Sequence, residues 1–207
     1  MNAQLPPGKE IQLKSWETFK SNSALMIAVL LCYVFVYFSV AIISYQISAL
    51  IPFFFITILI NLAVLLFNSL LTIGILKIAF ELSYNRNAEI LDIFKNGKLL
   101  LPYFVANIIY GFIFAIGIIL LIVPGIIWAV QFCFYPLLII DKNLNPIEAL
   151  KASSRLTHGY KWQLFNFFLV LIMINIAGFI LLGIGLLVTV PVSLFAYIYL
   201  YRELARA

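Results

Sequence analysis

The chain has 207 residues, of which 65% are hydrophobic and only 10% charged, with 13 Lys+Arg against 8 Asp+Glu and a formal net charge of +5. A soluble domain carries roughly 45–50% apolar and about 25% charged residues, so this composition excludes one. It predicts an all-α polytopic membrane protein, with 1–207 forming a single integral membrane domain.

The charges fall in four clusters. Lys9, Glu10, Lys14, Glu17 and Lys20 form the first, and Lys77, Glu81, Arg86, Glu89, Asp92, Lys95 and Lys98 the second. The third holds Asp141, Lys142, Glu148, Lys151, Arg155 and Lys161, and Arg202, Glu203 and Arg206 close the chain. The uncharged stretches between them, 21–76, 99–140 and 162–201, are 56, 42 and 40 residues long. A hydrocarbon layer about 30 Å thick needs about 20 helical residues per crossing, so each stretch holds two spans. The predicted spans are 24–48, 53–78, 99–122, 125–140, 163–183 and 186–203, the fourth broken by Pro136.

The first span starts too far in, and runs too long, for a cleavable signal, so it is expected to act as its own uncleaved signal. Two spans per gap place every charged cluster on one side. The opposite turns, "YQISALIPF", "IVPGII" and "GIGLLVTVP", carry no charge. The positive-inside rule makes the charged side cytoplasmic, with both termini inside. For the second and third pairs, 42 and 40 residues are tight. A shallow hairpin returning to the same face is the alternative, at the expense of polar backbone in hydrocarbon.

Before each pair lies a segment of soluble character. In "EIQLKSWETFKSNSALM", Leu13, Trp16 and Phe19 fall toward one side and Glu10, Lys14 and Glu17 on the other. In "AEILDIFKNGKLLLPYF", Ile90, Ile93 and Phe94 share a face. In "NPIEALKASSRLTHGYKW", Asn145 can cap a helix, Pro146 suits its first turn and Glu148 holds the capping-box position. There Glu148, Lys151, Arg155 and His158 form a polar stripe opposite Ala149, Ala152, Ser153 and Leu156. Aligning the three segments brings Phe19, Phe94 and Leu156 into register, and likewise Asn22, Gly97 and Gly159. The expectation is three pseudo-repeats, 9–84, 87–140 and 145–207, each a cytoplasmic interfacial amphipathic helix followed by a two-helix hairpin. Any cytoplasmic loop of a membrane protein can look amphipathic, which is the plainer reading. Trp16, Trp128 and Trp162 are the expected interfacial anchors.

The stretch Pro124–Phe165 resembles the bacterial six-helix membrane-domain family found attached to some glycerophosphodiester phosphodiesterases and in stand-alone relatives. The matching residues are Pro124 and Gly125 opening a span, Pro136 within it, and an acidic residue, Asp141, where that family more often has Glu. Then come Pro146, Glu148, Ala149, Leu150, Ser153, Leu156, Thr157, Gly159 and Trp162. Beyond this stretch the likeness rests on the six-span pattern and the final "YLYREL". It implies a six-helix bundle in the bacterial cytoplasmic (inner) membrane and brings no catalysis, because the hydrolase of that family is a separate soluble barrel.

Catalytic signals are lacking in the sequence. The single histidine, His158, sits among cations on a polar stripe, and no carboxylate lies in the apolar interior of a span. No phosphate-binding glycine motif or Cys/His metal spacing occurs, so no cofactor is expected. Cys32 and Cys133 lie in apolar runs and read as small hydrophobes. Lys77 and Glu81, four apart, are expected to pair at the headgroups.

Inside the membrane, Thr57, Asn61, Asn68 and Thr72 are spaced four, seven and four, giving one polar stripe, and Asn107, Gln131 and Asn175 add single amides. Such groups read either as hydrogen-bonding glue between helices or as the lining of a route for a polar solute. Small residues at Gly111, Ala115, Gly178, Gly183 and Gly185 permit close helix contact.

The leading functional expectation is a non-enzymatic membrane protein that binds or organises lipid, or serves as the membrane subunit of an assembly. The alternatives are a transporter component, and a lipid-headgroup enzyme using Asp141, Glu148 and His158. Expected partners are membrane lipids, with a bias to anionic ones, and a second copy or another membrane protein, but not nucleic acid.

Overall fold

The computed structural model describes residues 8–50, 53–181 and 183–206. Among them there is no strand, and nine α-helices account for nearly all of the chain. These are α1 (Gly8–Ser21), α2 (Ser23–Leu50), α3 (Phe54–Ser83), α4 (Gly97–Leu120), α5 (Ile122–Gln131), α6 (Tyr135–Lys142), α7 (Pro146–Leu156), α8 (Lys161–Ile180) and α9 (Leu186–Arg206). A short 3-10 helix, Ile90–Phe94, lies between α3 and α4. Six segments are long and apolar enough to cross a membrane: α2, α3, α4, the stretch Val123–Lys142, α8 and α9. The protein is an all-α polytopic membrane protein. Part of the first uncharged turn, residues 51–52, lies outside the described residues.

The core is concentrated at the charged end. On α3 the buried residues run from Ser69 to Ser83, on α9 from Pro191 to Leu204, and on α2 only Met26 and Val29 are buried. Helix α6 is sheathed on nearly all sides, with Tyr135 and Leu137 through Ile140 all buried. At the uncharged end the α2–α3 pair stands bare: Phe35, Tyr45, Leu50, Phe53, Phe54 and Phe55 are strongly exposed. At 1.5 Å per residue, the 28 residues of α2 span about 42 Å, more than the bilayer's apolar thickness. Such exposed aromatic and aliphatic surface is stable against acyl chains, not water.

Three local expectations are corrected. The second soluble-looking segment is not an α-helix: α3 continues to Ser83, five residues past the predicted end, and the short connection to α4 leaves room only for the 3-10 turn. Of its apolar face, Ile93 alone is buried. Its geometry is held by Asp92, which accepts from the Glu89 N–H at 2.8 Å and from Lys95 Nζ at 2.7 Å. The Lys95 ammonium first, and the Glu89 N–H second, hold the Asp92 carboxyl below its ordinary pKa.

The Lys77–Glu81 pair does not form either. Glu81 takes Arg86 at 3.0 Å, because the turn after α3 brings the guanidinium back over the helix end. On α1 the inward face is Ile11, Ser15, Thr18 and Phe19, while Leu13 is 61% exposed and Trp16 faces outward beside Lys20. Polar Ser15 and Thr18 can face the core because their hydroxyls donate to the Ile11 and Lys14 carbonyls one turn back.

Glycine makes the closest helix approaches. A Cβ on Gly74 would overlap the Ile93 carbonyl oxygen, and one on Gly117 would stand 2.7 Å from Gly125 Cα. Gly178 and Gly185 meet in the same way between α8 and α9, with a Cβ on Gly185 at 2.5 Å from the Gly178 oxygen. Gly111 faces open space, and Gly183 serves a turn with φ of 75°.

Candidate functional site

The chain breaks between α5 and α6, at residues 132–134. Pro136 falls in the first turn of α6, directly after the break, as expected of a proline that a continuous helix could not hold. The break is stabilised from α7. Ser153 Oγ accepts the Phe134 N–H at 3.0 Å and donates to the Gln131 carbonyl at 3.1 Å, and Thr157 Oγ1 donates to that same carbonyl at 3.0 Å. Both residues are fully buried. Two hydroxyls one helical turn apart thus satisfy backbone groups freed by an interrupted span, which hydrocarbon would otherwise leave unpaired.

The Gln131 side chain extends this network. Its Nε2 donates to Ser154 Oγ at 2.7 Å, and its Oε1 accepts from Lys161 Nζ at 2.6 Å. Lys161 opens α8, so the ammonium ties the end of α5 to the start of α8. Among the described residues Lys161 is in none of the ion pairs, which are Glu81–Arg86, Asp92–Lys95 and Glu203–Arg206. Beside this tie, α5 and α8 flank a cavity of about 440 Å³ lined by Val123, Ile126, Ile127, Val130, Lys161, Trp162 and Phe165.

These contacts give physical reasons for the residues singled out between Pro124 and Phe165. Pro124 lies in the first turn of α5, and Gly125 lets α5 press onto α4 at Gly117. Asp141 accepts the Tyr201 hydroxyl at 2.7 Å. Pro146 is the first residue of α7, Ala149 and Leu150 are buried, and Leu156 packs against the core. Gly159 has φ of 86°, a left-handed conformation that turns α7 into α8. Glu148, Lys151, Arg155 and His158 all face outward. Asn145 precedes α7 but makes no side-chain cap; its carbonyl accepts the Ala149 N–H at 2.8 Å.

The tryptophans occupy three different settings. Trp162 is 72% exposed, with its ring 5.4 Å from that of Phe165. Trp16 is exposed on α1, whereas Trp128 packs within the α4–α5 pair, where a Cβ on Gly117 would stand 2.8 Å from its ring.

A second polar cluster, not foreseen from the sequence, lies where α1, α3 and α9 converge. The Arg202 guanidinium sits 3.6 Å from the Tyr84 ring centroid and 5.3 Å from that of Tyr199. It donates to the Ser83 carbonyl at the end of α3, where the helix dipole favours a cation. Tyr199 and Thr18 share a hydrogen bond of 2.7 Å between their hydroxyls. The Tyr199–Arg202 spacing of three, one helical turn, was the signal available in "YLYREL".

The intramembrane amides divide into two kinds. Asn175 Nδ2 donates across to Ser193 Oγ at 2.8 Å, and Asn107 Oδ1 accepts from the Tyr135 hydroxyl at 3.3 Å, so both link helices. The stripe on α3 instead bonds to its own backbone: Thr57 to Phe53, Asn61 to Thr57 and Thr72 to Asn68. Asn61 is exposed, and Asn68 Oδ1 is buried without a partner. Both cysteines are free thiols. Among the described residues no three His, Cys, Asp or Glu side chains gather where they could hold a metal ion. Comparison with family models, with curated proteins and with solved structures finds no match.

Proposed function

We propose that the chain is a non-catalytic, multi-pass protein of the bacterial cytoplasmic membrane, with both termini in the cytoplasm, that binds and organises anionic lipid in the inner leaflet. One observation carries this reading. The buried core is concentrated at the end that bears the charges, where Lys151 and Arg155 face outward on α7 and Lys161 lines the otherwise apolar groove between α5 and α8. A protein built this way presents headgroup-level cations above acyl-chain-level apolar surface, and each well-placed cation contributes about 1 kcal/mol toward an anionic membrane surface. In this reading α1 and α7 lie at the inner interface, each ahead of a hairpin, as the repeat pattern suggests.

The test is reconstitution of the purified full chain. Enrichment of anionic phospholipid over the bulk membrane in the co-purified lipid, with no solute flux in liposomes, is the expected result. Saturable flux of a defined solute would overturn the reading in favour of a transporter.

A second reading, a membrane subunit of a larger assembly, is favoured by the α2–α3 pair alone. Its uncharged half stands clear of the bundle and carries the exposed Asn61, and an amide facing outward in hydrocarbon gains a hydrogen bond if another helix covers it. Cysteine cross-linking at position 61 in native membranes distinguishes a protein neighbour from lipid there.

A further inference from the structure

We propose that the groove between α5 and α8 is a binding site for one anionic phospholipid, its phosphate held by Lys161 and one acyl chain lying along α5. This rests on the lipid-binding reading above and gives it a place. Val123, Ile126, Ile127 and Val130 recur at intervals of three, one and three, so they form one face of α5 rising about 10 Å. Phe165 supplies part of the opposite wall from α8. At about 440 Å³ the cavity is within the ~300–1,000 Å³ range of small-molecule sites. The lining is apolar except at one end, where Lys161 stands.

Charge complementarity identifies the occupant. An ammonium has three donors and no acceptor. That of Lys161 gives one to the neutral Gln131 side chain and faces no carboxylate within ion-pair distance among the described residues. A half-buried cation at the rim of an apolar groove is completed by an anion that carries its own hydrocarbon. The hydrogen bond to Gln131 fixes the ammonium at the groove instead of letting it swing into water. Trp162, next in the chain and largely exposed, is placed where a tryptophan settles at headgroup level. Its ring and that of Phe165 together form the α8 side of the entrance.

Any lipid-facing groove is filled by some chain, so the experiment reads headgroup preference. The full chain carrying Trp16→Phe and Trp128→Phe keeps Trp162 as sole reporter, in nanodiscs doped with chain-brominated phosphatidylglycerol or chain-brominated phosphatidylcholine. The site predicts stronger quenching by the glycerol lipid. Lys161→Gln should cut that preference about fivefold, the effect of one headgroup cation. Ile126→Trp, read by native mass spectrometry of the retained lipid in the otherwise unaltered chain, should fill the groove and expel the bound lipid while leaving the Lys161–Gln131 bond in place; should Lys161→Gln fail to fold, this variant decides. If the starting chain prefers the glycerol lipid but neither substitution changes binding, the groove is the wrong site and the lipid-binding reading stands. If the starting chain shows no preference, both fall.

Discussion

Replacing Ser153 with alanine removes one oxygen from a fully buried position and tests how the fourth span tolerates its break. That oxygen accepts the Phe134 N–H at 3.0 Å and donates to the Gln131 carbonyl at 3.1 Å. In Ser153→Ala the carbonyl keeps its bond from Thr157 at 3.0 Å, so the net loss is a single orphaned donor, the Phe134 N–H, now facing a methyl group. A buried unsatisfied donor costs about 1–3 kcal/mol. Alanine regains at most about 0.7 kcal/mol through helix propensity, so the expected net loss is about 1–2 kcal/mol. Ser154→Ala is the internal control: it removes only the acceptor for Gln131 Nε2, in a partly exposed place where a headgroup or water can substitute, and should cost less than ~1 kcal/mol. Equilibrium unfolding in mixed detergent, followed by tryptophan fluorescence, measures both. Hydrogen exchange at the Phe134 amide should accelerate in Ser153→Ala and stay unchanged in Ser154→Ala. Equal stability of the two variants, with the Phe134 amide still protected in Ser153→Ala, would refute the argument that α7 caps the break.

Other substitutions test other contacts. Gly74→Ala must displace the Ile93 backbone and should cost about 1–3 kcal/mol as overpacking, whereas Gly111→Ala meets nothing within 4 Å and should be neutral or stabilising by up to about 1 kcal/mol; the same unfolding titration ranks them. Arg202→Lys keeps the charge but loses the flat stack on Tyr84 and should destabilise by about 0.5–2 kcal/mol, read with Tyr84→Leu in a double-mutant cycle. Asp92 has a lowered carboxyl pKa, so its contribution is complete above the ordinary carboxylate value and is lost as pH falls through the lowered one. Acidification in that window should therefore lower the protection factor of the Glu89 amide, taken relative to the intrinsic exchange rate at each pH, and Asp92→Asn should abolish that change.

Much of the architecture was legible because hydrocarbon excludes ions. The gaps between charged clusters located all six candidate spans, and α2, α4, α8 and α9 begin within two residues of their predicted starts. What the pattern missed depends on partners distant in sequence. Pro136 marked the break in the fourth span, but the hydroxyls that satisfy its backbone belong to Ser153 and Thr157, about twenty residues on. Ile90, Ile93 and Phe94 have helical spacing, but α3 runs on to Ser83 and consumes the chain that a full amphipathic helix would need. Periodicity also grouped Phe19 with Leu13 and Trp16, whereas Phe19 is buried with Ile11 and α9 receives Thr18 through Tyr199. As for the candidate site, Gln131 was visible only as an amide within a span; its role at the junction of α5, α7 and α8 requires Ser154 and Lys161 to converge on it.

If every charged segment lies on one face of the membrane, side-specific labelling of the connections must show it. Single cysteines at positions 48, 87, 158 and 184, in a background with Cys32→Ala and Cys133→Ala, are exposed to a membrane-impermeant maleimide in right-side-out and inverted vesicles. Positions 87 and 158 should react only in inverted vesicles, and positions 48 and 184 only in right-side-out ones. Reaction of 87 and 158 from opposite faces would rule out a one-sided distribution of the charged segments.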